Sequence, residues 1–199
     1  RPDRDTEALL KEMDSHVGRL MERLSHATNS VGMKEATLLA KERMLEIQRR
    51  VTEGRTPGIH TGLEGLDRMT GGMMPGTLNV IAARPRVGKT AFALFMALNA
   101  ARNGHPVCLY SLEMSKEQLV FRLLGCIADI EPSKILKGTL SAPEMKRIQR
   151  ASDELERLPI WIDERTDLSV ADLRYQISLR RKQGRCEMVI VDYLQLMLS

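Results

Sequence analysis

Four side chains, far apart in the sequence, have the types and settings for phosphate chemistry: Lys89, Thr90, Glu113 and Asp192. Gly88-Lys89-Thr90 closes residues 83–90, ARPRVGKT, which fit the pattern G-x-x-x-x-G-K-[ST] except that Ala83 stands at its first position. In such a loop, consecutive backbone N–H groups and a helix N-terminus surround an anionic phosphate. The lysine reaches the β/γ-phosphates and the hydroxyl takes a Mg²⁺ ion. An alanine at the first position costs little provided its φ is negative. Candidate nucleotide-binding residues are therefore Ala83, Arg84, Pro85, Arg86, Val87, Gly88, Lys89, Thr90 and Ala91. Arg84 and Arg86 lie within reach of phosphate, although side chains turned to solvent are the simpler reading.

Glu113 follows the apolar run 106–112, PVCLYSL. In a parallel α/β sheet, ligands lie beyond the carboxyl ends of the strands, so a carboxylate there can face a γ-phosphate and deprotonate an attacking water. The position suits equally a residue that precedes the next helix, where Ser115 and Gln118 have capping-box spacing. Asp192 closes the run 188–192, MVIVD. An acid at that place, together with the Thr90 hydroxyl, holds hydrated Mg²⁺. Asp163 ends a shorter and less apolar run and is the competing candidate. The reading makes Lys89 and Glu113 catalytic and assigns Thr90 and Asp192 to the metal.

These residues need elements to hold them. Residues 78–82, LNVIA, are bounded by Pro75-Gly76 and Arg84-Pro85 and predict a strand buried on both faces ahead of the loop. Residues 91–98, AFALFMAL, predict the helix that follows it, stopped by Asn103-Gly104. Further strands are expected over 106–112, 160–163 and 188–192, and helices over 116–129, 133–138, from Ser141 to about 157, and from about 169 to 182 with Gly184 as stop. Alternating strands and helices mark an α/β fold with a parallel, doubly wound sheet. Ahead of it, residues 6–26 and 34–52 carry apolar stripes at helical spacing, the second through Ala36, Leu39, Arg43, Ile47 and Val51. That second stripe packs either on its own domain or on a neighbouring subunit. Residues 53–58, EGRTPG, read as a linker. The segment after it, with a short helix over 63–69 ended by Gly71-Gly72, suits a lid over the sheet edge or a functional role. The expected division is 1–32, helical; 33–58, helix and linker; and 59–199, the nucleotide-binding domain.

Composition narrows the rest. With 199 residues, 43% hydrophobic and 28% charged, the chain has the make-up of a globular domain with an appendage. A net charge of +4 allows a nucleic-acid partner without demanding one, and 4% aromatic residues argue against a base-stacking platform. Cys108, Cys126 and Cys186 have no C-x-x-C spacing and read as reduced core thiols in a cytoplasmic protein, with no zinc site. His16 and His26 read as solvated. No apolar stretch approaches a membrane span. The chain starts without Met and stops just past an apolar strand, as a piece of a longer protein would.

The ordered set Ala83-Arg84-Pro85, Gly88-Lys89-Thr90, Ser111-Leu112-Glu113-Met114-Ser115 and Asp192-Tyr193-Leu194-Gln195-Leu196-Met197 resembles the replicative DNA helicases of the DnaB family. Thr61-Gly62, residues 66–72 and Pro75-Gly76 also match the start of that family's RecA-like motor domain. The resemblance implies a RecA-like, ATP- and Mg²⁺-dependent ATPase that works as a homo-hexamer around single-stranded DNA at a replication fork, with primase and a helicase loader as further partners. It assigns phosphate binding to Lys89, metal holding to Thr90 and Asp192, and water activation to Glu113. It makes helix 34–52 a linker helix docked on the adjacent subunit. Arg86-Val87 departs from the small-then-Met pair usual in the family. The family's arginine finger, sensor glutamine and DNA-binding loops are expected beyond Ser199; without the finger hydrolysis should be slower by about 10³-fold or more, so this stretch alone should bind nucleotide better than it hydrolyses it. Two other functions compete: a RecA-like ATPase of the recombinase or clock type, and a non-catalytic subunit-interaction module with nucleotide as a structural ligand.

Overall fold

A computed structural model describes residues 31–84, 86–165 and 168–192, so the expected helix over 6–26 lies outside the described residues. The chain divides into two compact units, Arg1–Arg55 and Thr56–Ser199. In the first, α1 spans Met33–Thr52, and none of its residues is buried. Leu39 and Val51 of the expected stripe are more than half exposed. Its polar face is stitched by Glu46, which pairs with Arg49 at 3.2 Å and Arg50 at 3.0 Å.

The second unit opens with an antiparallel bridge between Ile59 and Met73 that encloses α2, Glu64–Thr70. Gly71 ends α2 with a φ of 75°, the left-handed turn that glycine enters without cost. Helix α3, Lys89–Arg102, leads to β1, Val107–Ser111. Then come α4 (Lys116–Ala128), α5 (Pro132–Leu136), α6 (Ala142–Leu155), β2 (Ile160–Asp163), α7 (Val170–Lys182) and β3 (Met188–Asp192). The sheet runs β2-β1-β3 with both pairings parallel, Tyr110 opposite Asp163 on one side and Ser111 opposite Asp192 on the other. Strand β1 is central and buried along its whole length.

Helices cover both faces because β1 alternates. Val107 and Leu109 point to one side, where Leu109 packs with Leu94 and Leu98 of α3 and Leu119 and Leu123 of α4. Cys108 and Tyr110 point to the other, toward Leu112, Leu168 and Cys186, with Leu173 and Ile177 of α7 against them. Each fully buried leucine contributes about 1.5–3 kcal/mol over its exposed state. A second layer joins α4, α5 and α6 through Leu124, Ala128, Ile130 and Ala151. Helix starts are written into the sequence: Ser115, Ser141 and Ser169 each cap a helix while Gln118, Glu144 and Asp172 reach back to complete capping boxes.

Two expectations need correction. Residues 78–82 form no strand, and Leu78 and Val80 are 85% and 73% exposed. An apolar run becomes a strand only where a neighbouring strand takes its N–H and C=O groups, and no described strand pairs with this one. Cys126 is exposed rather than in the core. It lies on α4 beside the stripe of Leu119, Leu123 and Leu124 that faces inward, so the helix turns it outward.

Candidate nucleotide-binding site

The loop over 83–90 ends where α3 begins. Gly88 is the residue ahead of the helix, with a φ of 106° and open space where a Cβ would stand. No side chain caps this helix, and no acidic residue occupies its first turn. The N–H groups of Lys89, Thr90 and Ala91 therefore open a helix end with no side-chain cap and no acid in its own first turn, an arrangement that suits a phosphate. Ala83 has no positive φ, so its β-carbon is unstrained, whereas Arg86 takes a left-handed φ of 65°. Arg84, Arg86, Val87 and Ala91 are exposed, and Pro85 lies outside the described residues.

Across the sheet, β3 delivers Asp192 to this helix end. Its Oδ2 accepts a hydrogen bond from the Thr90 hydroxyl at 2.6 Å, and its Oδ1 pairs with Lys89 Nζ at 3.0 Å. Asp192 is only 5% exposed, so its charge is balanced by these two neighbours and little water. Asp163, the competing acid, stays on the far side of β1 and pairs with Arg165 at 3.1 Å. The direct Lys89–Asp192 contact was not legible in the motifs, which aim the lysine at phosphate. Opposite charges so far apart along the chain carry no sequence signal of pairing.

The donor set fits Mg²⁺. A carboxylate and a hydroxyl within hydrogen-bond distance of each other are hard oxygen donors. Among the described residues no group of three or more His, Cys, Asp or Glu could hold an ion unaided. A metal here would draw its other ligands from phosphate and water, the usual Mg²⁺ arrangement.

Glu113 stands just past β1. The ladder continues one step beyond the strand, where Leu112 N–H donates to the Asp192 carbonyl at 2.9 Å, so Glu113 follows a residue tied directly to Asp192. Its side chain is exposed, two positions before the Ser115 cap of α4. A residue pair missed in the sequence reading frames it: buried Ser111 bonds both the N–H and the carbonyl of Met114, and Glu164 accepts from Lys116 N–H at 2.7 Å. A serine at the end of a fully apolar strand was the available signal for the first; nothing local marked the second.

Residues 58–199 match the DnaB-like helicase C-terminal domain family. The chain belongs to that family. It is 37% identical over 178 residues to the replicative DNA helicase DnaB of Synechocystis sp., a match covering 88% of this chain and 20% of that relative. Its fold superposes on a solved ATPase domain with a TM-score of 0.73 at 30% identity, covering 85% of this chain and 60% of that one. It also superposes on a DnaB-like replicative helicase whose interactions with primase have been described, with a TM-score of 0.69 at 29% identity, covering 97% of this chain and 48% of that one. The chain thus spans about a fifth of the length of the Synechocystis relative. The parallel sheet with helices on both faces is the RecA-like ATPase fold of these neighbours. No described helix is long and apolar enough to cross a membrane.

Proposed function

We propose that this chain is the nucleotide-binding part of an ATP-driven replicative DNA helicase, which hydrolyses ATP to translocate on single-stranded DNA and unwind the duplex ahead of it. The observation that carries the reading is the meeting of Lys89, Thr90 and Asp192 at the N-terminus of α3, with Asp192 2.6 Å from the hydroxyl and 3.0 Å from the ammonium. In this reading the backbone of residues 83–91 and the start of α3 cradle the phosphates of ATP. Lys89 leaves Asp192 for the β/γ-phosphates, Thr90 and Asp192 hold Mg²⁺, and Glu113 takes a proton from the attacking water. Mg²⁺, when bound, supplies neutralisation of charge on the phosphate oxygens. Helix α1 serves as a linker that docks on the adjacent subunit of a homo-hexamer, and primase and a helicase loader are the expected protein partners in the cytoplasm.

The test is ATP turnover by the full-length protein with and without single-stranded DNA, alongside Glu113→Gln and Lys89→Ala. Turnover stimulated by DNA should fall by orders of magnitude in Glu113→Gln while nucleotide binding persists, and should vanish in Lys89→Ala. A wild type that binds ATP and never turns it over would refute the motor reading in favour of a nucleotide-bound interaction module.

A further inference from the structure

Glu113 carries the proposed proton transfer, yet its carboxylate makes no hydrogen bond or ion pair to any described residue. Its position is therefore set by the backbone of the turn between β1 and α4. That turn is held at three points. At its start, Leu112 N–H donates to the Asp192 carbonyl at 2.9 Å. In its middle, the Ser111 hydroxyl donates to the Met114 carbonyl at 2.8 Å and accepts from the Met114 N–H at 3.1 Å. One side chain thus closes the loop of chain that bears Glu113, using a donor and an acceptor of a single hydroxyl. Ser111 is 2% exposed, so both bonds are shielded from water.

At its end, Glu164, just beyond β2, accepts from Lys116 N–H at 2.7 Å and pairs with Lys116 Nζ at 3.0 Å. The Lys116 amide and ammonium hold the Glu164 carboxyl below its ordinary range. Since β2 and β3 flank β1 on opposite sides, the turn is tied to both neighbours of the strand that carries it. We infer that Ser111 and Glu164 are positioning residues for Glu113, fixing it relative to Asp192 and hence to the γ-phosphate. This rests on the assignment of Glu113 as the base. A shift of about 1 Å in a reacting group costs on the order of 10²-fold in rate, so loosening either clamp should act on turnover and spare nucleotide binding.

The experiment uses the full-length protein with single-stranded DNA and measures kcat, KM for ATP and affinity for a fluorescent ATP analogue. The variants are Ser111→Ala, Ser111→Thr and Glu164→Ala, each also combined with Glu113→Gln. The expected result is a fall in kcat of about 10-fold or more in Ser111→Ala and Glu164→Ala, with KM and analogue affinity within about twofold of wild type. Ser111→Thr, which keeps the hydroxyl, should recover most of the rate. In the Glu113→Gln background neither clamp variant should lower the residual rate further. Rate losses that multiply with that of Glu113→Gln, or a parallel loss of analogue affinity, overturn the inference and make the clamps purely structural. Glu164 is on the surface, so Glu164→Ala decides the matter even if Ser111→Ala does not fold. Wild-type turnover in Glu113→Gln alone would remove the base assignment itself, an outcome read before any clamp variant is considered.

Discussion

Replacing Asp192 with Asn should change nucleotide affinity in opposite directions with and without Mg²⁺. Asparagine keeps the size of the side chain and an oxygen for the Thr90 hydroxyl, and removes only the charge. In the nucleotide-free protein that charge engages Lys89 at 3.0 Å. A hydrogen bond between charged groups contributes about 1.5–3 kcal/mol. The Lys89 side chain is 32% exposed, and solvent screening brings the net value toward about 1–1.5 kcal/mol. Phosphate must break this contact to recruit the lysine and must also approach the carboxylate. Without metal, Asp192→Asn should therefore bind ATP analogue roughly tenfold more tightly than wild type. With Mg²⁺ the sign reverses, because in the proposed reading the lost anionic oxygen is one that would hold the ion, and affinity should fall about 10–100-fold. Titration calorimetry in EDTA and in Mg²⁺ buffer measures both. Equal weakening in the two buffers would refute the reasoning, since it would mean that Asp192 only supports the loop and neither restrains Lys89 nor serves the metal.

Leu123, 1% exposed in the cluster between α3, β1 and α4, should cost about 2–5 kcal/mol when cut to Ala, read as a lower urea midpoint at unchanged slope. A loss under about 1 kcal/mol would contradict the packing of α4 on the sheet. Glu144 is held down to about 2 from an ordinary 4.5, chiefly by the hydrogen bond from Lys134 and then by the Ser141 amide and hydroxyl. A folded-state pKa below the unfolded one means stability that is present above pH 4.5 and lost as pH falls toward 2. Glu144→Gln should thus melt below wild type near neutral pH, with the gap narrowing as pH drops through that window. A gap independent of pH would show that the charge contributes nothing.

Short-range signals were readable and long-range ones were not. Strands β1, β2 and β3 stood out because each is a short apolar run between turn residues, and Ser115 and Ser141 announced α4 and α6 through a partner three positions on. Residues 78–82 looked no different from these runs, yet they form no strand, and Leu78 and Val80 remain exposed. Hydrophobicity reports that a segment can be buried; whether a strand is there to receive it is decided elsewhere in the chain. The same divide runs through the site. Gly88, Lys89 and Thr90 share one loop and form a pattern, while the hold of Glu164 on Lys116 spans 48 positions and follows no repeat. Asp192 was preferred to Asp163 on the length and apolar character of its strand; both strands flank β1, and it is Asp192 that meets the Thr90 hydroxyl, at 2.6 Å.

The Thr90–Asp192 contact also sets an order of events during synthesis. Its partners lie 102 positions apart, so at about 5–20 residues per second the phosphate loop leaves the ribosome roughly 5–20 seconds before its acid is made. Until then Lys89 and Thr90 lack the carboxylate that meets them in the folded chain. In the proposed reading, only the arrival of β3, paired in register with β1, brings the acid that would let the loop distinguish a metal-bound nucleotide from a bare one.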